Sequence, residues 1–265
     1  MTIEVETFSF SQLELALSAR RYDVDDDYVS GFRFDGLSVP DNFWEGGVKR
    51  RCEFVAGRMA ALDCLIMIEP KREPVIDIGS GGEPLISLGH ISISHTEDLA
   101  VAVVSRGRHR ILGVDVEVVS PGADNEYLLS RICAKSELAV IKCFGDVDLA
   151  ATIIFSAKES IFKALFSAFN VRVRWSCVKL IRCDVFASKL LFFIDDEKCL
   201  FFRGIITVMY DACGEFVCTI VDQCMEEVFL DGGYRLTALI KQSCDPLFRA
   251  IDKSILCGRA IFMER

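Results

Sequence analysis

Asp115 and Glu117 stand two residues apart in the run Gly113-Val114-Asp115-Val116-Glu117-Val118. On a strand, side chains alternate between faces, so the two carboxylates share one face while the valines take the other. Like charges held that close repel, and a hard divalent cation such as Mg²⁺ relieves the repulsion while keeping waters for substrate phosphates. The plainer reading is an exposed strand face with solvated acids. A second set lies in Phe155-Ser156-Ala157-Lys158-Glu159-Ser160-Ile161-Phe162-Lys163. At ~100° per residue, Ile154, Phe155, Ile161, Phe162, Leu165, Phe166 and Phe169 crowd one side of a helix, with Lys158 in the middle of that arc, Glu159 at its edge and Lys163 one turn on. Burying an unpaired ammonium costs several kcal/mol, so Lys158 is expected to find an anion or to bring its head to a cleft. Arg58 repeats the pattern between Phe54 and Leu62. Ser94 and His95 end an alternating segment, Ile91 to Thr96, with donors suited to a phosphate monoester. Lys49-Arg50-Arg51 adds cations. A structural histidine and a solvated basic face are the competing readings.

The elements that must position these groups follow from periodicity. Helical spacing runs from Lys49 to Met67, then over about 124–142 and 152–168. Strands are expected at 99–105 and 111–119, joined as a hairpin across Arg106-Gly107-Arg108-His109, and at about 188–194, 199–210, 215–222 and 235–240, the last after a turn at Gly232-Gly233. Residues 1–48, with the acidic cluster Asp23, Asp25, Asp26 and Asp27, read as an irregular wrap with a solvated loop. Residues 70–82 read as a loop. Helix then hairpin, followed by helix then strands, is compatible with an α/β (α+β) chain of two similar halves, 1–110 and 111–241, although no letter-for-letter repeat supports it. Residues 242–265 form a tail without a legible role.

Composition narrows the function classes. With 265 residues and a net charge of -9, the chain can bury a sizeable core and does not suit a general nucleic-acid binder. Its acidic start lacks the basic and apolar regions of a signal peptide, so the twelve cysteines are read as reduced, mostly buried thiols in a cytoplasmic protein. No C-x-x-C pair points to zinc. No uncharged apolar run is long enough to span a bilayer.

Taken in order, a basic run with E-F-x-A-G-R, then S-x-S-H-T, G-V-D-x-E and S-x-K-E-x-x-x-K resembles the 4'-phosphopantetheinyl transferases, in particular the type associated with siderophore and peptide synthetases. The resemblance spans about Lys49 to Phe166. It implies two pseudo-symmetric halves, each a helix on a small antiparallel sheet, in a monomer with coenzyme A in the cleft between them. The phosphopantetheine arm would pass to a serine of an acyl or peptidyl carrier protein, releasing 3',5'-ADP. Asp115, Glu117 and Glu159 would hold Mg²⁺, and Lys163 would contact the phosphates, with Lys158 reaching the same cleft. Ser94 and His95 would hold the 3'-phosphate, while Arg51 and Arg58 would bind other phosphate oxygens. Glu137 resembles a glutamate proposed to take the serine's proton, against a reading as an exposed helix residue.

Some positions depart from the pattern. Phe155 stands where many members have tryptophan, Glu83 sits where a basic residue often helps bind the coenzyme, and a glycine common before S-x-S-H is missing. Two other functions use the same residues: a non-catalytic coenzyme A or nucleotide-binding module, and a Mg²⁺-dependent phosphodiesterase or pyrophosphatase attacking with water.

Overall fold

Two long helices and the sheets they cover set the plan of this computed structural model, which describes residues 15–107, 110–122, 124–195, 203–224 and 261–262. The chain forms two units, Met1–Arg108 with Arg249–Arg265, and His109–Phe248.

In the first unit, α2 (Val48–Ile68) lies on a sheet of order β11-β1-β5-β4, all antiparallel: β11 (Ile261–Phe262), β1 (Leu15–Arg21), β5 (Leu99–Ser105) and β4 (His90–Thr96). Cys52, Val55, Ala56, Ala60, Ala61, Cys64, Leu65 and Ile68 form the buried stripe of α2. The small residues of that stripe allow close packing. A Cβ on Gly57 would come within 2.7 Å of Ile93 on β4, so the glycine of E-F-x-A-G-R is a contact residue between helix and sheet. A short helix, α1 (Asp26–Ser30), a 3-10 turn at Phe43–Glu45 and a two-stranded ladder of β2 (Asp77–Ile78) with β3 (Pro84–Leu85) also belong to this unit.

The second unit packs α5 (Val147–Phe169) on a five-stranded antiparallel sheet of order β6-β10-β9-β8-β7. The strands are β6 (Arg110–Val118), β7 (Val178–Asp184), β8 (Lys189–Asp195), β9 (Arg203–Cys213) and β10 (Phe216–Cys224). Asp146 caps α5 by accepting from the amides of Asp148 and Leu149, and Asn170 ends it in the left-handed region at φ 55°. Ile153, Ile154, Ile161 and Leu165 of α5 meet Phe192, Ile194 and Ile206 of the sheet in one core. Two short helices, α3 (Asp124–Ile132) and α4 (Lys135–Ile141), lead into α5, and α4 lies against β7.

The helix and antiparallel-sheet content agrees with the α/β expectation, but several elements differ. Strand β1 falls in the stretch read as an irregular wrap. Leu-Ala-Leu-Ser-Ala shows no alternation because these five residues are all buried. The expected hairpin across Arg106 to His109 is absent: β5 pairs with β1 and β4, and β6 with β10. All seven residues of β5 are buried, as suits a strand with neighbours on both edges. The helical stretch 124–142 is broken at Cys133-Ala134, where Ala134 takes an extended conformation (φ -75°, ψ 159°). Strand β7 was not anticipated. The strand and turn expected over 232–240 lie outside the described residues, as does the tail apart from Ile261–Phe262. Of the described cysteines, Cys52, Cys64, Cys177 and Cys218 are buried, while Cys143 is exposed.

Candidate functional site

On β6 the alternation holds. Ile111 joins the core under α5, and a Cβ on Gly113 would fall 2.0 Å from the Ser160 carbonyl oxygen of α5. The absent side chain therefore lets α5 approach the strand at the point from which Asp115 and Glu117 continue along the same face. Asp115 is buried, and its Oδ1 accepts a hydrogen bond from Lys163 Nζ at 2.6 Å. Lys163 also donates to the Val114 carbonyl at 3.3 Å, and its side chain remains 28% exposed. The G-V-D-x-E strand and the S-x-K-E-x-x-x-K helix thus meet through a charge pair.

Glu117 and Glu159 join the same electrostatic group. Burial, then the charge of Asp115, pushes the Glu117 carboxyl up to about 7; Lys163 opposes this and Glu159 adds to it. The Glu159 carboxyl is raised by burial and by Asp115, with Lys163 again opposing. Three acids therefore sense one another around one ammonium. Among the described residues, however, no three His, Cys, Asp or Glu side chains are close enough to hold a metal ion. Lys163 is the cation that meets Asp115. The donor chemistry still fits Mg²⁺, because the group offers hard carboxylate oxygens whose mutual repulsion a small dication would offset.

Lys158 and Glu137 are placed otherwise than the resemblance implied. Lys158 Nζ lies 2.9 Å from Glu137 Oε1 and 2.5 Å from the Ile132 carbonyl oxygen, and both charged side chains are 2% exposed. Glu137 Oε1 also accepts from the Leu180 amide at 2.9 Å, and Oε2 accepts from the Ala134 amide at 2.6 Å. The anion that the buried lysine required is Glu137. The structure thus uses both charges against each other inside the second unit.

The first unit holds the remaining expected residues. Arg51 is engaged by Asp26 and by the Gly46 carbonyl oxygen, and so is tied to its own unit. Its neighbour Arg50, not singled out from sequence, places Nη1 3.4 Å from His95 Nε2 with its side chain 73% exposed. Glu53 lies 3.9 Å from His95 Nδ1 on the other side of the ring. Only the helical positions of the basic run could have separated Arg50 from Arg51, since the composition of the triplet favours neither. Ser94 and His95 are consecutive on β4 and project to opposite faces, with His95 on the α2 side. Arg58 is 5% exposed, with its guanidinium 4.7 Å over the Phe54 ring, and burial lowers its pKa to about 10. Glu83 folds back to accept from the Gly81 amide at 2.9 Å, which occupies that carboxylate within its own turn.

Residues 111–221 match the family model described as the 4'-phosphopantetheinyl transferase superfamily, and residues 45–105 match that of the 4'-phosphopantetheinyl transferase N-terminal domain. Enterobactin synthase component D of Salmonella typhi is 36% identical over 149 residues, covering 55% of this chain and 62% of that protein. The Salmonella typhimurium protein of the same name is 33% identical over 159 residues, covering 58% and 66%. That of Escherichia coli K12 is 35% identical over 127 residues, covering 44% and 56%. The chain thus spans about three-fifths of the length of these relatives.

Proposed function

The chain belongs to the 4'-phosphopantetheinyl transferase superfamily, and on that premise we propose that it transfers the phosphopantetheine arm of coenzyme A to a serine of an acyl or peptidyl carrier protein, with Mg²⁺, releasing 3',5'-ADP. The relatives are enterobactin synthase components, which supports a carrier within a siderophore or related peptide assembly. The observation that carries the reading is the Asp115–Lys163 pair with Glu117 and Glu159 in its field.

In the transfer, the serine oxygen bonds to the phosphorus that bears pantetheine, the bond from that phosphorus to the ADP oxygen breaks, and the serine proton passes to solvent water. Charge accumulates on the ADP oxygen as it leaves. Asp115, Glu117 and Glu159 would hold Mg²⁺, which when bound supplies positive charge at the pyrophosphate. Lys163, partly exposed and anchored by Asp115, places an ammonium where a phosphate oxygen could share it. Within the first unit, Arg50 and His95 lie side by side as donors suited to a phosphate, and Arg58 is a buried positive charge.

Incubation with fluorescent coenzyme A, Mg²⁺ and a panel of carrier domains tests the reading. The expected result is a carrier serine heavier by one labelled phosphopantetheine. Coenzyme binding without label on any carrier would overturn it, as would release of 3',5'-ADP by water alone.

Arg50 and Arg51 should separate in this assay. Arg50→Ala is expected to raise KM for coenzyme A by about fivefold to tenfold with unchanged melting, the loss of one exposed phosphate contact. Arg51→Ala should lower the melting temperature instead, because it releases Asp26 and the Gly46 carbonyl. Equal effects on KM from both variants would return Arg51 to the coenzyme site.

A further inference from the structure

Glu137 and Lys158 gather hydrogen bonds from five places in the second unit: the end of α3 at Ile132, the break at Ala134, the first turn of α4 at Glu137, β7 at Leu180 and the middle of α5 at Lys158. We propose that this pair is a positioning joint, which fixes α5 so that Glu159 and Lys163 meet Asp115, and that Glu137 takes no proton from the acceptor serine. The assignment of what is positioned rests on the transferase reading.

The geometry supports the joint in three ways. First, Glu137 is nearly inaccessible, and both its oxygens already accept donors, three in all. A general base must come within hydrogen-bond reach of the proton it removes, directly or through one water. Second, Lys158 immediately precedes Glu159 and lies five residues before Lys163, on a helix continuous from Val147 to Phe169. A helix is stiff over that distance, so pinning the Lys158 ammonium to Ile132 and Glu137 fixes the rotation of α5 about its axis, and with it the direction of the next residue ~100° around. Third, the same stretch of α5 is set against β6 through Ser160 and Gly113. One contact sets how near α5 lies to β6, the other how it is turned. Without the joint, α5 could still pack its apolar face and keep the Ser156–Thr219 hydrogen bond to β10, but its directional tie to α3, α4 and β7 would be lost.

The same pair explains the broken helix. Glu137 is three residues after Ala134 and reaches back to that residue's amide, which ends α3 and starts α4. The carboxylate thereby links a local chain break to β7 and α5.

The test uses the full chain and three variants, Lys158→Met, Lys158→Arg and Glu137→Gln. If the pair positions α5, Lys158→Met lowers kcat by about tenfold or more while KM for coenzyme A stays within about twofold, and Lys158→Arg recovers most of the loss. Glu137→Gln lowers kcat but leaves the midpoints of the pH–rate profile in place. Loss of the acidic limb of that profile in Glu137→Gln would make Glu137 the base and overturn the proposal. A rise in KM for coenzyme A with kcat retained in Lys158→Met would make Lys158 a phosphate ligand and overturn it too. Amide exchange at Leu180 gives a readout independent of transfer: Glu137→Gln should speed it by about tenfold or more, and an unchanged rate sinks the joint. If the wild-type protein labels no carrier, the transferase reading falls while the exchange measurement still decides the joint. Should Lys158→Met fail to fold, Lys158→Arg and Glu137→Gln carry the test, with a changed pH profile or unaltered Leu180 exchange as the overturning results.

Discussion

Replacing Asp115 with alanine is expected to lower transfer to a carrier serine by about 10³-fold, equivalent to about 4 kcal/mol of transition-state stabilisation, while the protein remains folded. The effect is large because Asp115 links the acidic and basic parts of the group. It accepts from Lys163 at 2.6 Å, and its charge acts on both Glu117 and Glu159. Its loss would remove a proposed metal ligand and release the ammonium from its place. The fold should tolerate this, because Lys163 is part-exposed, keeps the Val114 carbonyl and can extend its head to water. Asp115→Asn sharpens the test: it keeps the shape and an oxygen acceptor for Lys163 but removes the charge, so it should lie close to the alanine variant if charge is what matters. Steady-state kinetics beside a melting curve would decide. Activity within tenfold of wild type in Asp115→Ala would remove this residue from the reacting group.

The residues that bear charge in the second unit were legible because each breaks a local rule. Asp115 and Glu117 are acids in a valine strand, and Lys158 is a cation in an apolar arc. Periodicity locates such anomalies, but not what resolves them. Lys158 was expected to find an anion or a cleft, and the choice depended on Glu137, twenty-one residues earlier and across a break in the helical pattern. Nothing in Ala134-Lys135-Ser136-Glu137 shows that the carboxylate turns inward, since the same letters suit a solvated first turn. Phe155 is a related case. The sequence shows only an aromatic ring there, and the structure sets that ring, tilted by 34°, 5.4 Å from Trp175, which periodicity could not place there.

Strand pairing was the least legible part of the fold. Leu99 to Ser105 and Ile111 to Val119 are both plainly strands, and a four-residue polar link between such runs favours a hairpin. What overrides it is non-local. β1 and β4 occupy the two edges of β5, and β10 pairs with β6. β1 itself is hard to see because full burial removes the alternation that marks a half-exposed strand. In β7, Lys179, Ile181 and Arg182 are exposed on an edge strand with a register shift between Leu180 and Arg182, which blurs the period of two.

Lys158→Ala is expected to destabilise the second unit by about 3–5 kcal/mol, the largest loss of stability foreseen for a single substitution here, because it leaves the Glu137 charge buried without its counter-ion. The neighbouring core can carry the pair in the native protein: Ile153, Ile154, Ile161, Leu165 and Phe192 are each fully buried, at roughly 1.5–3 kcal/mol apiece. Removing only the cation changes that balance. Glu137 would retain its bonds from Leu180 and Ala134, so the double variant Lys158→Ala with Glu137→Gln should lose less than the sum of the singles, since the second change removes the charge that the first exposed. Trp175 packs beside α5 and Trp44 lies in the first unit, so urea titrations of all four proteins in a Trp44→Phe background would follow the second unit alone. A shift below about 1 kcal/mol for Lys158→Ala would mean that water reaches Glu137 as soon as the lysine leaves. The pair would then be no more than a covered surface bridge. A shift in the expected range, with strong non-additivity in the double variant, would show that the ion pair acts as a single buried unit, as its role in turning α5 requires.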